Sequence, residues 1–461
     1  MDGLSRRALA SIVIAAAIPT ADATALVVAV PAMARELQSG WQAQQWLLNT
    51  STLTIAGLLL PAGMFGDRYG RRRALRLGLS LTVAGAVLGA TAWNVWVLGL
   101  GRIAMGASGA LMLPATIALV RSGTRAAESR TEGFGQLASW VGFGSAMAPL
   151  LAGALIDLAS WRAIFILTAA PAAIALVLST GIAEQRSDEP PAGRLVAAAL
   201  GGGLALGAAT YAAIDGAAAG FTATRTGVAV ALAIAAALVA GSLLRRLPEA
   251  HTVSRNWIGG NAVTFAFYFG LIGFTYLLTT YAQEFAGWSA TRAALVTLPT
   301  TLATWWLSPR LGALAHRFGT RTVMIVASVI GAVGLLWTTT AVRDEWSGWA
   351  LAPGGALLGV ALAFAAAPLT QAAVASVSKP RAGLASAANH AVVRAAALAA
   401  TIGLGAVATG GASEFTPERL RAALLITAAI VGVGGLACTG LFKDQEAGGV
   451  AGEGEPATGA P

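Results

Sequence analysis

The sequence predicts an all-α polytopic membrane protein. Hydrophobic residues make up 56% of the 461, charged residues only 11%, and the mean hydropathy is +0.70. Water-soluble domains do not show this balance. Apolar windows of about 18 to 25 residues recur along the chain, and each is long enough to cross a hydrocarbon layer of ~30 Å. Only helices satisfy every backbone amide of such a window in lipid, so helices are expected throughout.

The apolar windows predict fourteen membrane spans. They cover residues 8–33, 46–65, 75–92, 95–120, 134–155, 161–182, 195–214, 227–244, 257–281, 293–311, 323–341, 349–377, 384–407 and 420–441. The first window is too long for the apolar core of a signal peptide, contains Asp22 and runs into further spans. We therefore expect it to remain in the mature protein.

The placement of positive charge predicts the orientation of these spans. If the N-terminus is cytoplasmic, 21 of the 30 Lys and Arg residues fall on the cytoplasmic side and 7 on the other side, while Arg102 and Arg394 lie within spans. This bias follows the positive-inside rule and puts both termini in the cytoplasm. Topology thus explains the net charge of +9, and no nucleic-acid partner is expected. The Ala-rich composition, with Arg far above Lys, suggests a bacterial chain, hence the inner (cell) membrane.

Scarce residue types exclude several kinds of chemistry. The single Cys438 cannot form an intrachain disulfide, and the three histidines show no metal-ligand spacing. The only lysines, Lys379 and Lys443, lie outside any G-x-x-x-x-G-K-[ST] loop, so no nucleotide site is expected. We predict no cofactor, no metal and no enzymatic activity. If this chain transports a solute against its concentration gradient, the energy must come from an ion gradient or from a separate subunit.

Two segments 249 residues apart indicate an internal duplication. Residues 63–72 and 312–321 both read G-x-x-x-[DH]-R-[FY]-G-x-R and follow a predicted span at a cytoplasmic turn. Two six-helix halves with two inserted helices give this spacing most simply. The chain then divides into an N-terminal half (1–182), a linker with two extra helices (183–256), a C-terminal half (257–442) and a disordered cytoplasmic tail (443–461). The alternative interpretation is that each segment is an ordinary positively charged loop. Such a loop would not require glycines at the same positions in both copies.

The duplicated turn is the predicted conformational switch. Its glycines permit a tight turn, its arginines hold the inner interface, and Asp67 can face the positive end of a helix dipole. The residues assigned to the switch are Gly63, Asp67, Arg68, Gly70, Arg71, Arg72, Gly312, Arg317, Gly319 and Arg321.

These motifs resemble those of a known family. Residues 63–73 resemble the loop signature between helices two and three of the major facilitator superfamily, and the fourteen-span layout resembles its fourteen-helix drug:proton antiporter family. Residues 22–31 and 102–114 resemble the motifs of its first and fourth helices. The resemblance covers the first six spans closely and the rest loosely. It implies the major facilitator fold, with two pseudo-symmetric six-helix halves, and transport by alternating access.

The fifth span carries the family's antiporter motif, with some departures. The matching positions are Gly142, Gly144, Pro149 and Gly153, and the following Ser160-Trp161-Arg162 also fits. Ala148 and Ala152 stand where the family usually has Gly, a mild change for helices that pack through small residues. Val27 and Met105 replace the family's usual Asn and Gln, which removes two hydrogen-bonding groups near the expected cavity.

Ionisable residues inside the spans are the candidates for energy coupling, because charge in a bilayer is expensive. Asp22 lies about fourteen residues into the first span, ~20 Å deep at ~1.5 Å per residue. We predict that Asp22 carries the proton and that Arg102 is the partner that helps to release it. A structural carboxylate paired with a basic neighbour is the alternative for Asp22, and pinning of spans one, four and five is the alternative for Arg102.

A substrate cavity is expected between the two halves near the midplane. The residues that could line it are Trp140, Phe143, Tyr268, Tyr276, Trp305, Asn389 and Arg394. Helix packing and the interfacial belts are the alternative roles for the aromatic residues, and Arg394 could instead extend to the inner interface. Three further acids, Asp157, Asp215 and Glu284, sit at outer helix ends and are expected to be solvated.

The favoured function is a proton-coupled antiporter that exports hydrophobic or cationic organic compounds, such as drugs, antibiotics and secondary metabolites. Apolar walls with few hydrogen-bonding groups suit such molecules better than sugars. The expected partners are therefore a small hydrophobic or cationic substrate, protons and the lipid bilayer, and the chain is expected to act as a monomer. A lipid or small-solute carrier on the same scaffold and a non-transporting membrane sensor remain the alternatives.

Overall fold

The computed structural model describes residues 5–123, 127–184, 193–219, 224–245, 255–312, 314–342, 348–375, 382–409, 416–436 and 440. Every regular element in these ranges is a helix. The predicted cytoplasmic tail, and the linker residues 185–192 and 246–254, lie outside the described residues.

Sixteen α-helices make up the described chain. They are α1 Arg6–Glu36, α2 Trp41–Tyr69, α3 Arg71–Ala90, α4 Val95–Gly123, α5 Ala127–Leu158, α6 Ile166–Leu178, α7 Gly193–Ala219, α8 Thr224–Arg245, α9 Arg255–Glu284, α10 Ala290–Gly312, α11 Ala315–Phe318, α12 Thr320–Ala341, α13 Ala352–Ala375, α14 Ala382–Ala399, α15 Gly405–Thr409 and α16 Pro417–Ala429. Short 3-10 turns at Trp161–Phe165, Ser179–Gly181 and Gly348–Leu351, and π turns at Ala400–Leu404 and Ile430–Gly434, extend their neighbours.

Each predicted span overlaps a helix, or a helix with the 3-10 or π turn that extends it. Among the described residues, eight helices are long and apolar enough to cross a membrane by length and composition. A ninth is added if α2, which is bent near Pro61, is counted as one span. The chain is thus a multi-pass helical protein, and the number fourteen stays a prediction.

Small residues set the helix packing in both parts of the chain. A Cβ atom built on Gly85 of α3 would lie 2.8 Å from the carbonyl oxygen of Gly101 in α4. In α12, a Cβ atom on Gly334 would lie 2.7 Å from the carbonyl oxygen of Gly354 in α13. Without a side chain at these positions the helix backbones can touch. Gly334 follows Gly85 by 249 residues, the offset of the duplicated turn, so this close contact is duplicated as well.

The helices before and after the inserted pair meet along two seams and at α1. One seam runs between α5 and α10, the other lies between α2 and α14, and α1 packs on α9. The inserted helices α7 and α8 pack on each other, and α7 also packs on α2. We refer to the end of the molecule where α1 reaches Glu36 as the outer end, after the predicted topology, and to the Arg6 end as the inner end.

Candidate functional site

A buried ion pair joins α1 to α4. The Nη1 atom of Arg102 lies 2.9 Å from Oδ1 and 2.7 Å from Oδ2 of Asp22. The Arg102 side chain is 1% exposed and that of Asp22 13%, so water reaches only the carboxylate. The Nε atom of Arg102 is buried and has no hydrogen-bond partner among the described residues. Neutralising Asp22 would leave a buried cation unpaired, which costs several kcal/mol unless the helices move.

Two further contacts fix the position of this pair. The Ser51 hydroxyl of α2 donates to the backbone carbonyl of Arg102 over 2.7 Å, so three helices meet at the ion pair. Nη1 of Arg102 also lies 3.7 Å from the thioether sulfur of Met105, the residue that stands where the family usually has Gln. Sulfur is a weak acceptor, so the guanidinium has Asp22 as its one strong partner in the described structure.

The predicted switch begins at the turn between α2 and α3, at the inner end. Asp67 forms an ion pair with Arg71 one helical turn later, and Nη1 of Arg71 donates to the carbonyl of Gly63 over 3.4 Å. Gly70 has φ of +116°, a conformation that residues with a side chain rarely adopt. The guanidinium of Arg68 lies 5.7 Å from the centre of the Tyr69 ring.

The second copy of the turn repeats the backbone, but His316 and Thr320 stand where the first copy has Asp67 and Arg71, the residues of the ion pair. Gly312 ends α10, and Gly319 at the start of α12 has φ of +81°, in the place that Gly70 occupies before α3. The guanidinium of Arg317 lies 5.9 Å from the ring centre of Phe318, and Arg321 is exposed. Both glycines are thus required by the backbone, as the repeat in the sequence predicts.

Glu184 also belongs to the first turn, a role that no sequence motif predicted. Its Oε1 atom accepts from the backbone N–H of Arg72 over 3.0 Å, and its Oε2 lies 3.8 Å from Nε of Arg73. The carboxylate therefore caps the N-terminus of α3 from the chain that follows α6. A Cβ atom on Gly70 would lie 2.2 Å from Oε1, so the glycine also makes room for this cap.

The antiporter-motif residues of α5 face two different helices. A Cβ atom on Gly142 would lie 2.5 Å from Cδ1 of Trp305, and one on Gly153 would lie 2.7 Å from Cα of Thr291, both in α10. Gly144 instead faces α1, with 3.4 Å to the Ala17 side chain. Pro149 is buried between them. The small residues of the motif thus allow α5 to pack closely against both helices.

Asp157 closes the outer end of the α5–α10 seam. Its Oδ1 accepts from the N–H of Ala290 over 3.1 Å and its Oδ2 from the N–H of Thr291 over 3.0 Å, which caps the N-terminus of α10. Asp157 is exposed, as expected, and it caps a helix as well. Asp215 differs from the expectation, because it is buried and accepts from Thr226 and Arg225 at the outer end of the inserted helices.

Other hydrogen bonds near the outer end join helices that precede the inserted pair to helices that follow it. Gln283 of α9 donates to the carbonyl of Val28 in α1 over 3.0 Å. Gln45 of α2 donates to the hydroxyl of Tyr276 in α9 over 2.9 Å. The Thr401 hydroxyl, just after α14, donates to Oδ1 of Asn49 in α2 over 3.1 Å. The described structure is thus closed at its outer end, and these bonds must break for it to open there.

The aromatic residues predicted to line a cavity occupy different places. Trp140 and Phe143 of α5 and Trp305 of α10 form one cluster, with ring centres 5.8 and 6.0 Å apart, and all three are exposed. The Trp305 indole donates to the carbonyl of Ser139 over 3.0 Å. Tyr276, by contrast, is only 2% exposed and lies among the residues whose hydrogen bonds close the outer end.

The polar residues predicted in the second half lie between α9 and α14. The amide of Asn389 donates to Oδ1 of Asn261 and to the hydroxyl of Thr264, both over 3.2 Å. One turn further along α9, Tyr268 is close enough to Arg394 for an electrostatic interaction. Asn261 and Thr264 were not predicted from the sequence, because a polar residue in an apolar helix does not reveal its partner.

No cluster of three or more metal-ligating side chains is present among the residues that the structure describes.

Comparisons with known proteins agree with this architecture. The chain is 27% identical to the Methylenomycin A resistance protein of Bacillus subtilis over 72% of both chains. It is 29% identical to the Probable actinorhodin transporter of Streptomyces coelicolor, over 84% of this chain and 69% of that one. It is 27% identical to the Multidrug efflux pump LfrA of Mycolicibacterium smegmatis, over 84% and 78%.

A crystal structure of the peptide transporter POT shares the fold, with a TM-score of 0.70 over 95% of this chain and 94% of that one, at 16% identity. The family model of the Major Facilitator Superfamily matches residues 12–277, more than half of the chain. This chain therefore belongs to the Major Facilitator Superfamily.

Proposed function

We propose that this chain is a proton-coupled antiporter that exports amphiphilic organic compounds, such as drugs, antibiotics or secondary metabolites, by alternating access. The buried Asp22–Arg102 pair supports coupling most directly, since it is an ion pair inside the first half that one proton would disrupt. The names of the relatives support the substrate class, because they describe resistance to, or transport of, antibiotics and drugs.

The coupling step follows from the electrostatics of the pair. While Asp22 is charged, it neutralises Arg102 and holds α1 against α4. A proton on Asp22 removes that attraction and leaves Arg102 unpaired, which favours a rearrangement of the two helices. A proton that moves through a force of about 150 mV supplies ~3.5 kcal/mol, at ~2.3 kcal/mol per 100 mV. This is enough for a solute gradient of a few hundredfold at 1.4 kcal/mol per tenfold.

We propose that alternating access involves opening of the outer end, which is closed in this structure. The α5–α10 seam and the bonds from α2 and α9 hold the outer end shut in the state that the structure describes. Opening there must separate these contacts, while the turns at Gly70 and Gly319 rearrange at the inner end. We further propose fourteen spans, both termini in the cytoplasm of a bacterial cell, halves at 1–182 and 257–442, and action as a monomer.

The test uses everted membrane vesicles, in which respiration acidifies the interior and exported compounds accumulate inside. Asp22→Asn should abolish the uphill accumulation that depends on the pH gradient but keep substrate binding, and Asp22→Glu should retain part of it. Asp215→Asn is the matched control, since Asp215 is also paired with an arginine but lies outside both halves. Wild-type accumulation by Asp22→Asn vesicles, at equal expression, would show that Asp22 is not the coupling acid.

A further inference from the structure

Arg394, in the second half of the chain, has no counter-ion among the residues that the structure describes. It is partly buried on α14, and no hydrogen bond or ion pair joins it to the residues that the structure describes. Its one electrostatic neighbour among them is the phenol of Tyr268, which is uncharged near neutral pH. In the sequence from 257 to 442 the acids are Glu284, Asp344, Glu345, Glu414 and Glu418, all between spans at the outer end.

The depth of Arg394 makes this isolation significant. It lies twelve residues after the start of α14 at Ala382, about 18 Å along the helix at ~1.5 Å per residue. Tyr268 lies thirteen residues after the start of α9 at Arg255, which is a similar depth. The position next to Tyr268 is deep in a layer of ~30 Å, so the side chain does not extend to the inner interface. An unpaired charge at such a depth is expensive and usually indicates a function.

Helical periodicity shows where Arg394 faces. Thr401 follows it by seven residues, two helical turns, and residues seven apart share one face of a helix. Thr401 reaches across to Asn49 of α2, in the first half. Arg394 therefore lies two turns inward of that contact, on the face of α14 that looks toward the other half. Such a position borders the space between the halves, where this fold is expected to bind its substrate.

Among the described residues of the first half, the deep acid is not available to Arg394. Both carboxylate oxygens of Asp22 already accept from Nη1 of Arg102, so these two charges neutralise each other. The uncharged phenol of Tyr268 interacts electrostatically with Arg394, and the amide of Asn389 lies about one turn inward on α14. Among the described residues, the surroundings of Arg394 thus combine one positive charge with uncharged hydrogen-bonding groups.

We propose that the substrates of this protein are acidic amphiphiles, with a carboxylate, phenolate or sulfonate that pairs with Arg394. The proposal rests on the export function above and narrows its substrate class, away from the cations that the sequence alone suggested. The guanidinium binds the two oxygens of such a group in a fixed fork. A charge-assisted bond at a desolvated site predicts that an acid binds about ten- to a hundredfold more tightly than its uncharged amide.

The test measures binding, so it does not depend on transport. Purified protein in phosphatidylcholine nanodiscs is titrated with pyrenebutyric acid, its primary amide and pyrenebutylamine, which share one apolar body. The acid should bind at least about tenfold more tightly than the amide, and the amine no better than the amide. Arg394→Gln should lower the affinity for the acid to that for the amide, while the amide is bound as before. Arg394→Lys should keep part of the preference.

Arg76→Gln, which removes an exposed arginine on α3, is the control and should change nothing. The proposal is overturned if acid and amide bind equally to the wild type, if the amine binds best, or if Arg394→Gln keeps the preference for the acid. It is also overturned if added phosphatidylglycerol displaces the acid, because the site would then hold a lipid headgroup. Failure of uphill transport with the acid preference intact would count against the export function alone.

Discussion

Replacement of Asp157 by alanine should open the outer end of the protein. The carboxylate accepts two backbone N–H groups of α10, from Ala290 and Thr291, and it belongs to the other half of the molecule. The loss of a helix cap costs about 0.5–2 kcal/mol, and water reaches the freed N–H groups at the outer end. The cost applies only to the closed state, because the cap is already broken when the seam is open. A difference of about 0.5–2 kcal/mol shifts the ratio of open to closed molecules by about 2- to 30-fold.

Distances between two spin labels at the outer end measure this shift. The labels are attached at Trp93→Cys and Glu418→Cys, both exposed and one in each half, after the single Cys438 is replaced by serine. Asp157→Ala should increase the population at long distance. The control is Glu36→Ala, which removes an exposed carboxylate at the same end whose partners, Trp161 and Arg162, both precede the inserted helices. An unchanged distance distribution in folded Asp157→Ala protein would refute the role of Asp157 as an interhelical cap.

Two further substitutions test the inner turn and the inserted helices. Asp67→Asn removes the negative charge that pairs with Arg71. The turn would then no longer favour one conformational state over the other, so the initial transport rate should fall sharply at equal expression. A wild-type rate would contradict the role of Asp67 in the switch. Gly203→Ala should lower the melting temperature in detergent, while Gly202→Ala should leave it unchanged or raise it, because only Gly203 faces the backbone of α2 at Gly57.

The sequence predicted the positions of the helices well, because each apolar window has to cross the same hydrocarbon layer. It also predicted contacts that depend on charge inside a span. Asp22 and Arg102 were the only opposite charges deep in the first half, and the structure places them together. The paired glycines Gly70 and Gly319 were found because both copies of the turn need the same unusual backbone. What these residues do in transport remains a proposal.

Contacts between distant helices that do not involve two opposite charges inside spans were not predictable. Asp157 and its partners on α10 are 133 and 134 residues apart, and a carboxylate at a helix end looks the same in sequence whether it is solvated or caps another helix. The same holds for Glu184, which reaches the N-terminus of α3 across 112 residues. Tyr276 was grouped with cavity residues by its aromatic ring, but its bond to Gln45 depends on which end of the molecule is closed. Periodicity identifies the buried face of a helix but not the helix that covers it.

The contrast between Gly203 and Gly202 also tests what the inserted helices contribute. A Cβ atom on Gly203 would lie 2.4 Å from Cα of Gly57, whereas one on Gly202 meets open space. Either alanine should favour the helix by ~1 kcal/mol, so the difference between the two variants isolates the contact with α2.

Near this contact, one apolar cluster joins Ile214 of α7 to residues of α2 and to Leu398 on α14. The pair α7–α8 therefore covers the α2–α14 seam, and a loosened α7 should lose protection of its amides from hydrogen exchange together with the outer half of α14. If Gly203→Ala melts like Gly202→Ala, with protection intact, the inserted helices are not coupled to that seam.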